Sequence, residues 1–461
     1  MIGLFAPPVI SMSSRILAPA TTRAEFRPLV RLSVPLMIGL TAALLIGVVD
    51  TVMISPLGTV PLAAAGITTA VLIILISALW GLLTVISVQI SQAHGAGDPT
   101  RVAMALRSGL VLCLIGGGIG TALMMAVYPL LGPIGQPTEV LAILLPYWTC
   151  MAIWILPFTL FFGLKALFDA VDWPWTSVAV AYVGVVANIP ANYTFIHVLD
   201  LGLLGAGLAS VLSQCLSLLV AWQVIARAPG LAAYRRKVAV AWSDIGAQLR
   251  ESLPLCLGYA GEGGAYAMVG LMIGWIGAEA LAAHQIVNAL AGVAYVIPLG
   301  MAGAVSIRVG QAVGADRRTR LRPILKASFA MVVIWQALAA SVFVFGGHAL
   351  ATAMSDDPQV IAIATTLFLI MALLQIADGV QATSLGALRG MSDMAVPSYI
   401  TLAAYWPLAL PMGYLMGFEL DMGATGIWLG YTLGIAVAAT LLPRRFWRLT
   451  APTRGQDPSL A

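Results

Sequence analysis

Long apolar stretches follow one another along almost the whole chain, separated only by short polar connections. Each of the twelve stretches exceeds the roughly 20 residues that a helix needs to cross the hydrocarbon core of a bilayer. Because backbone polar groups cannot find water inside lipid, a chain of this pattern must cross as helices. The sequence therefore predicts an all-α integral membrane protein. The predicted spans are about 29–54, 67–92, 102–131, 139–164, 176–198, 203–227, 245–275, 282–312, 322–348, 358–388, 395–418 and 424–445.

Composition excludes a soluble globular domain. Hydrophobic residues make up 60% of the chain and charged residues only 9%, whereas soluble domains carry roughly 25% charged residues. The chain cannot cover itself with a polar surface in water. Its net charge of +4 reflects the sidedness described next, and we expect no nucleic-acid partner.

The basic residues predict the orientation of the spans. With the N-terminus placed in the cytoplasm, all 23 Lys and Arg residues lie on the cytoplasmic side, as the positive-inside rule requires. Lys165 lies near the inner end of a span and is expected to extend its amine to the interface. We predict a bacterial inner-membrane protein with both termini in the cytoplasm. The outer connections carry acids instead: Glu139, Asp200, Glu279, Asp356, Asp357, Glu419 and Asp421.

The two halves of the chain are one repeat. "SVPLMIG" begins at Ser33 and "SLPLCLG" begins at Ser252, an offset of 219, and "VISVQISQAHGA" (85–96) meets "AVSIRVGQAVGA" (304–315) at the same offset. Later, "NIPANY" (188–193) lies opposite "ALPMGY" (409–414) at an offset of 221. Each half has six spans, an even number, so both halves enter from the same side.

This repeat predicts two six-helix bundles related by a pseudo-twofold axis along the membrane normal. Parallel repeats of this kind are typical of secondary transporters, with the substrate path between the halves. The predicted division is an N-terminal tail (1–27), an N-lobe (28–227), a cytoplasmic linker (228–243), a C-lobe (244–447) and a C-terminal tail (448–461).

Three acids remain deep in the predicted spans: Asp50, Glu262 and Asp378. A charge at the centre of a spanning helix costs roughly 2.5–3.5 kcal/mol. No Lys or Arg in the spans offers an obvious partner for these acids. Each acid must therefore be protonated, bind a cation such as Na⁺, or face water, and each of these states is a step in ion-coupled transport. The alternative is a carboxyl that is hydrogen-bonded for packing alone.

Asp50 has candidate polar neighbours in span five. Asn188 and Asn192 are four residues apart and so share a helix face. Pro190 between them and Pro35 in span one free backbone carbonyls and permit helix bends. Carboxylate, amide and carbonyl oxygens are ligands suited to a proton or a small hard cation. Helix–helix hydrogen bonding is the alternative role for the two asparagines.

The two second-half acids also have polar neighbours. Glu262 lies in "GYAGEGGAYAM", where glycines clear space around it and Tyr259 and Tyr266 flank it. Gln375 and Gln381 lie three residues to either side of Asp378, on its face. Tyr and Gln side chains can satisfy a neutral carboxyl or orient a charged one. Ordinary packing remains open for all of these neighbours.

The repeat does not duplicate the acids. At the offset of 219, Asp50 corresponds to Val269 and Glu262 to Ala43, and at 221 Asp378 corresponds to Pro157. We therefore expect the two halves to do different jobs in one transport cycle.

These residues resemble the multidrug and toxic compound extrusion (MATE) family over about 28–447. "SVPL" followed by "VDTVMI" is similar to the family's first-helix motif, and "LAAHQIVN", "MAGAVSIRVGQAVGA" and "GALRGMSD" are similar to its motifs in helices eight and ten. Glu262 and Asp378 match the acids of the NorM-like bacterial branch. The DinF-like branch usually lacks both acids. It resembles this chain in having an asparagine at the position of Asn188, but it has an aspartate four residues later, where this chain has Asn192.

The resemblance implies the MATE fold and export of organic cations in exchange for Na⁺ or H⁺ by alternating access. It implies no cofactor and no catalytic residue, with Asp50, Glu262 and Asp378 as coupling residues. We expect a monomer whose partners are small organic cations and membrane lipids. Ring faces and polar side chains bind organic cations; the candidates are Tyr259, Tyr266, Gln285, Tyr295, Trp406 and Phe158.

Two other functional classes are less compatible with the sequence. Lipid-linked oligosaccharide flippases of the same superfamily tend to line their cavity with Arg and Lys, and the predicted spans offer no such residue. An intramembrane enzyme needs an activated nucleophile or a metal site, and the sequence contains no Ser/His, paired-Asp or HExxH arrangement.

Overall fold

The computed structural model describes residues 21–451. Residues 1–20 of the predicted N-terminal tail and 452–461 of the predicted C-terminal tail lie outside this range. Within it the chain is helical and contains no strand. Ten helical segments are long and apolar enough to cross a membrane, which confirms a multi-pass all-α membrane protein.

Thirteen α-helices and three π-turns organise the described part of the chain. Helices α1–α6 are Thr22–Ile54, Thr59–Gly95, Pro99–Val127, Thr138–Ala170, Pro174–Tyr193 and Gly202–Arg227. Helices α7–α13 are Trp242–Ile276, Ala278–Gly314, Leu321–Thr352, Pro358–Gly390, Ala395–Ala404, Leu410–Tyr414 and Gly423–Leu449. The π-turns are Thr194–Val198, Tyr405–Ala409 and Leu415–Glu419. Each predicted span coincides with a helical segment, and the eleventh contains both α11 and α12.

Helix α1 begins earlier than predicted. It starts at Thr22, inside the segment that the sequence predicted to be a tail ending at residue 27. The reason is Glu25, which is fully buried and forms ion pairs with Arg308 and Arg320. Such long-range ion pairs leave no local hydrophobic pattern in the sequence.

The chain packs as two compact units. Among the described residues, the first unit is Val34–Ala260, and the second takes the chain up to Ser33 and from Gly261 onward. The contacts divide the chain inside α1 and α7, and the division into lobes 28–227 and 244–447 stays a prediction. The predicted linker 228–243 belongs to the first unit.

One strongly buried helix lies at the centre of each unit. In the first unit α4 packs against α2, α3 and α6, and in the second unit α10 packs against α8, α9 and α13. Glycines permit the closest approaches. A Cβ at Gly386 of α10 would lie 2.3 Å from the carbonyl oxygen of Ala302 in α8, so only glycine fits there.

The repeat is visible in the turns. Five pairs of residues with positive φ recur at offsets of 219, 219, 220, 221 and 221: Gly58/Gly277, Gly97/Asp316, Asp172/Ser392, Asp200/Asp421 and Gly202/Gly423. A positive φ is costly for most residues, so these turns are demanding positions that both halves share.

The offset around α4 and α10 corrects one sequence correspondence. Helices α4 and α10 share an offset of 220 at both their first and their last residues, so Asp378 corresponds to Phe158 and not to Pro157. The inference that the acids are not duplicated is unaffected, because Phe158 is also not an acid.

Candidate functional site

The first unit holds Asp50 in a cage of hydrogen-bond donors. Asn188 and Asn192 donate from their amide nitrogens to Oδ1 at 3.1 and 2.7 Å, and the Ser210 hydroxyl donates to Oδ2 at 2.8 Å. Helix α5 supplies both amides from one face, and α6 supplies the hydroxyl. The structure thus brings together the three residues that the sequence predicted to be neighbours and adds Ser210.

The cage also contains unused acceptors. The side-chain oxygens of Asn188 and Asn192 are buried and accept no hydrogen bond from the described residues. A buried amide oxygen without a donor is costly. Beside a carboxylate, the two oxygens complete an all-oxygen set of the kind that binds a small hard cation.

Of the two predicted bend residues, Pro35 lies beside the boundary between the two units and Pro190 lies near a π-turn. Pro35 is within α1, and the chain passes from the second unit to the first between Ser33 and Val34. Pro190 is within α5, which gives way to the π-turn Thr194–Val198. Since proline cannot donate to the carbonyl four residues earlier, both positions weaken the helical ladder.

The second unit brings Glu262 and Asp378 together. Glu262 is on α7 and Asp378 on α10, and their carboxyls interact electrostatically. Both side chains are only partly buried, and neither accepts a hydrogen bond from the described residues. Two nearby carboxyls without donors favour a shared proton or a bound cation, since two bare anions repel one another.

Two tyrosines that the sequence reasoning missed lie beside this acid pair. Tyr405 and Tyr431 are both within electrostatic reach of Glu262 and Asp378, and their rings stack with centroids 5.7 Å apart. Tyr405 lies in the π-turn between α11 and α12, and Tyr431 lies on α13.

The flanking glutamines do not bind Asp378, which corrects the expectation from their spacing. Gln381 donates to the Tyr405 hydroxyl. Gln375 accepts at its side-chain and backbone oxygens from the Gln336 amide, both at 2.8 Å. The glutamines therefore pack the shell around the acid pair and leave the carboxyls available.

The glycines around Glu262 admit residues of α11 and the following π-turn. A Cβ at Gly261 would lie 2.1 Å from a Leu402 methyl group, and the Trp406 indole donates to the Gly261 carbonyl at 3.0 Å. The space left by the missing side chain at Gly261 is therefore occupied by Leu402 and Trp406. Trp406 is 43% exposed, so its ring remains open to a ligand.

A polar aromatic network extends from Tyr266. Its hydroxyl donates to Asn288 at 2.6 Å, Asn288 contacts His284 Nε2 at 2.7 Å, and the Trp428 indole donates to His284 Nδ1 at 3.2 Å. These contacts link Tyr266, Asn288, His284 and Trp428 into one chain of polar side chains inside the second unit.

The other substrate candidates are dispersed. Tyr259 lies in the first unit, with its hydroxyl 3.4 Å from that of Thr84. Gln285 is exposed on α8, and Tyr295 is partly buried there. Phe158 is 5% exposed and packs between Trp154 and Phe162, with centroids 4.6 Å from each. The expectation that the Phe158 ring is open to a cation is wrong in this structure.

The position of Lys165 differs from the expectation that its amine extends to the membrane interface. Lys165 does not extend to the interface but is buried in α4 with its amine 2.7 Å from Asp169. The sequence reasoning ended this span at residue 164 and so missed both the amine and the acid one turn later. A buried, neutralised pair does not supply the free positive charge that a pyrophosphate-binding flippase would need.

Arg389 is a basic neighbour of Glu262, which the sequence did not indicate. Its charge acts on Glu262 from the end of α10. The guanidinium Nε of Arg389 is buried and forms no hydrogen bond with the described residues. Arg389 does take part in other interactions.

The repeat could have revealed one missed pair. Ser210 and Tyr431 are related by an offset of 221, the offset of the neighbouring turns. Each places a hydroxyl near the acid of its own unit. Tyr405 carried no such signal, because its position depends on the π-turn.

Each unit thus contains one carboxyl site in an apolar helical setting. The Asp50 site is rich in donors and orphaned amide oxygens, whereas the Glu262/Asp378 site is bordered by tyrosines. Both sites suit reversible binding of a proton or a small cation. Neither contains a nucleophile activated by a base.

Comparison with known proteins identifies the family. The MatE family model matches residues 35–194 and 254–415. The two matched segments begin at an offset of 219 and end at an offset of 221, in agreement with the repeat read from the sequence and the turns.

Curated relatives and solved structures agree with this match. A probable multidrug resistance protein NorM of Xylella fastidiosa is 30% identical over 431 residues, covering 92% of each chain. A protein of the same name from Xanthomonas campestris pv. campestris is 31% identical over 432 residues, covering 92% of this chain and 94% of its own. The fold is that of the eukaryotic MATE transporter AtDTX14, with a TM-score of 0.85, 19% identity, and coverage of 93% of this chain and 98% of that one. The chain belongs to the MatE family, to which its sequence motifs pointed.

Proposed function

We propose that this protein is a secondary active multidrug exporter that moves organic cations out of the cell in exchange for Na⁺ or H⁺. The observation that carries the proposal is the Glu262/Asp378 pair. Two partly exposed carboxyls lie within predicted spans, on α7 and α10, and accept no hydrogen bond from the described residues. An acid pair that needs neutralising suits a positively charged substrate and a competing coupling ion. The NorM names of the relatives support the drug-efflux part of the proposal.

The Asp50 cage is proposed as a second coupling site. Its three donors stabilise the carboxylate, and its two orphaned amide oxygens can turn toward a bound cation. Competition between cation and drug for alternative states of the protein couples the two fluxes. The protein acts as a monomer in this proposal, with lipids and small organic cations as its partners and with no cofactor or catalytic residue.

The coupling is testable in proteoliposomes that contain the purified full-length chain. We expect dye or drug transport under a Na⁺ gradient alone or a pH gradient alone. Asp50→Asn keeps the shape of the side chain but removes its charge. It should abolish gradient-driven transport and leave drug binding within about tenfold, because ~1.4 kcal/mol is enough for a distant switch.

Three outcomes of this experiment would contradict the proposal. Transport by the wild type that neither gradient drives would remove the antiport mechanism. Unchanged transport by Asp50→Asn would make the carboxyl a packing group. Complete loss of drug binding in a folded Asp50→Asn protein would place Asp50 in the substrate site instead.

The proposed orientation places both termini in the cytoplasm of a bacterial inner membrane. Asp200 and Glu419 are exposed beside the π-turns and lie outside the cell in this orientation. Cysteines at these two positions should react with a membrane-impermeant maleimide in intact cells, while a cysteine at Arg227 should react only after lysis. The opposite pattern would invert the orientation.

A further inference from the structure

The strongest unassigned feature of the second unit is a groove at the charged end of α13. It encloses about 430 Å³ and combines arginines with apolar side chains. Five of its lining residues recur on α13 at helical spacing, so they form one continuous face of that helix. The sixth comes from α11. The lining residues are Ile400, Leu441, Arg444, Arg445, Arg448 and Leu449.

The three arginines of the groove differ in their pairing. Arg445 binds Asp393 through two nitrogens, at 2.5 and 2.9 Å, and its charge is thereby compensated. Within residues 21–451, Arg444 and Arg448 form no side-chain hydrogen bond or ion pair. They are exposed and one turn apart. The groove therefore presents two guanidinium groups on one helix face that no acid of the described residues compensates.

The apolar part of the groove is arranged along the helix axis. Leu441 lies three residues before Arg444, or about 4.5 Å deeper toward the apolar body of α13. Leu441 and Leu449 are 41% and 44% exposed. Exposed leucines below and beside two exposed guanidinium groups match an amphiphile whose charged group lies at the membrane surface and whose chain extends into the bilayer.

The helix end itself is held in place. The Arg322 guanidinium donates to the Trp447 carbonyl at 3.0 Å and to the Thr450 hydroxyl at 3.2 Å. Arg322 and Lys326 also lie over the Trp447 ring, at 5.3 and 5.8 Å from its centre. A helix end secured on one face can present a fixed set of donors on the other.

We infer that this groove is a binding site for an anionic phospholipid. The phosphodiester accepts from Arg444 and Arg448, which match the oxygens of a phosphate by bidentate geometry. The acyl chains lie along Leu441 and Ile400. The leaflet is the cytoplasmic one in the orientation proposed above, where anionic headgroups attract basic residues at helix ends. Free phosphate has the same charged group but gains nothing from the apolar residues.

Native mass spectrometry of the purified full-length protein tests this site. The probes are palmitoyl-oleoyl phosphatidylglycerol, the corresponding phosphatidylcholine and inorganic phosphate. We expect the wild type to retain phosphatidylglycerol in preference to phosphatidylcholine, and excess inorganic phosphate not to displace it. The double variant Arg444→Gln/Arg448→Gln should bind phosphatidylglycerol about tenfold more weakly.

Two further variants keep the inference falsifiable. Arg227→Gln/Arg318→Gln removes the same charge from exposed residues outside the groove and should bind the lipid as the wild type does. Asp393→Asn releases Arg445 and should strengthen retention of phosphatidylglycerol. Equal retention of both lipids by the wild type, displacement by inorganic phosphate, or equal losses in the two double variants would overturn the inference. None of these readouts depends on drug transport.

Discussion

Replacing Glu262 by Gln or Asp378 by Asn is expected to reduce gradient-driven efflux by at least about tenfold, down to the background of empty vesicles. Each substitution preserves side-chain shape and removes the charge that the coupling ion must neutralise. The partner acid then stands alone and loses the repulsion that makes a shared proton or cation favourable. Efflux in proteoliposomes is the measurement, with expression and thermal stability recorded for every variant.

Exposed acids provide matched controls for this pair. Glu419→Gln and Asp356→Asn make the same chemical changes at exposed positions near helix ends, and both should transport like the wild type. If Glu262→Gln and Asp378→Asn also transported normally, the two carboxyls would be packing groups. The antiport mechanism would then need another site.

The largest effect on stability is expected at Glu25. This side chain is completely buried and forms ion pairs with Arg308 at 3.0 Å and Arg320 at 2.6 Å. Glu25→Ala leaves two largely buried guanidinium groups without their acid. Breaking a buried ion pair in this way costs about 3–5 kcal/mol, and we expect a clear fall in the thermal unfolding midpoint of the detergent-solubilised protein.

Glu279 is the control for Glu25, because it also lies in the first turn of a helix. Glu279 is exposed, so Glu279→Ala should lose only the helix-dipole interaction, about 0.3–1 kcal/mol. Equal shifts of the unfolding midpoint in the two variants would show that the Glu25 ion pairs contribute nothing beyond that interaction.

The sequence predicted the structure best where the lipid bilayer restricts which residues a helix can contain. A helix that crosses a bilayer must be apolar for about 20 residues, so each of the twelve predicted spans coincides with a helical segment, although α1 and α2 begin seven and eight residues earlier than predicted. Asp50, Asn188 and Asn192 could be grouped because helical spacing puts the two amides on one face. Gly261, beside Glu262, could be interpreted because a residue without a Cβ lets a neighbouring side chain approach the helix closely.

The sequence predicted least where long-range contacts decide. Nothing local indicates that Glu25 reaches Arg308 and Arg320, whereas Lys165 and Asp169 are four residues apart on one helix and their pairing could have been inferred from helical spacing. Gln375 and Gln381 share a helix face with Asp378, yet helical spacing does not say which neighbouring helix each amide meets. They bind Gln336 and Tyr405, and those partners come from other helices.

The π-turn that carries Tyr405 lies where the offset between the two halves of the repeat changes. Between the pairs Asp172/Ser392 and Asp200/Asp421 the offset of the two halves grows from 220 to 221, so the second half is one residue longer than the first half there. The corresponding part of the first half is the uninterrupted helix α5, whereas the second half has the additional π-turn Tyr405–Ala409. A π-turn accommodates one extra residue within a helix and is frequent at functional sites. The π-turn thus places an aromatic hydroxyl beside the acid pair without disturbing the turns on either side, which both halves share.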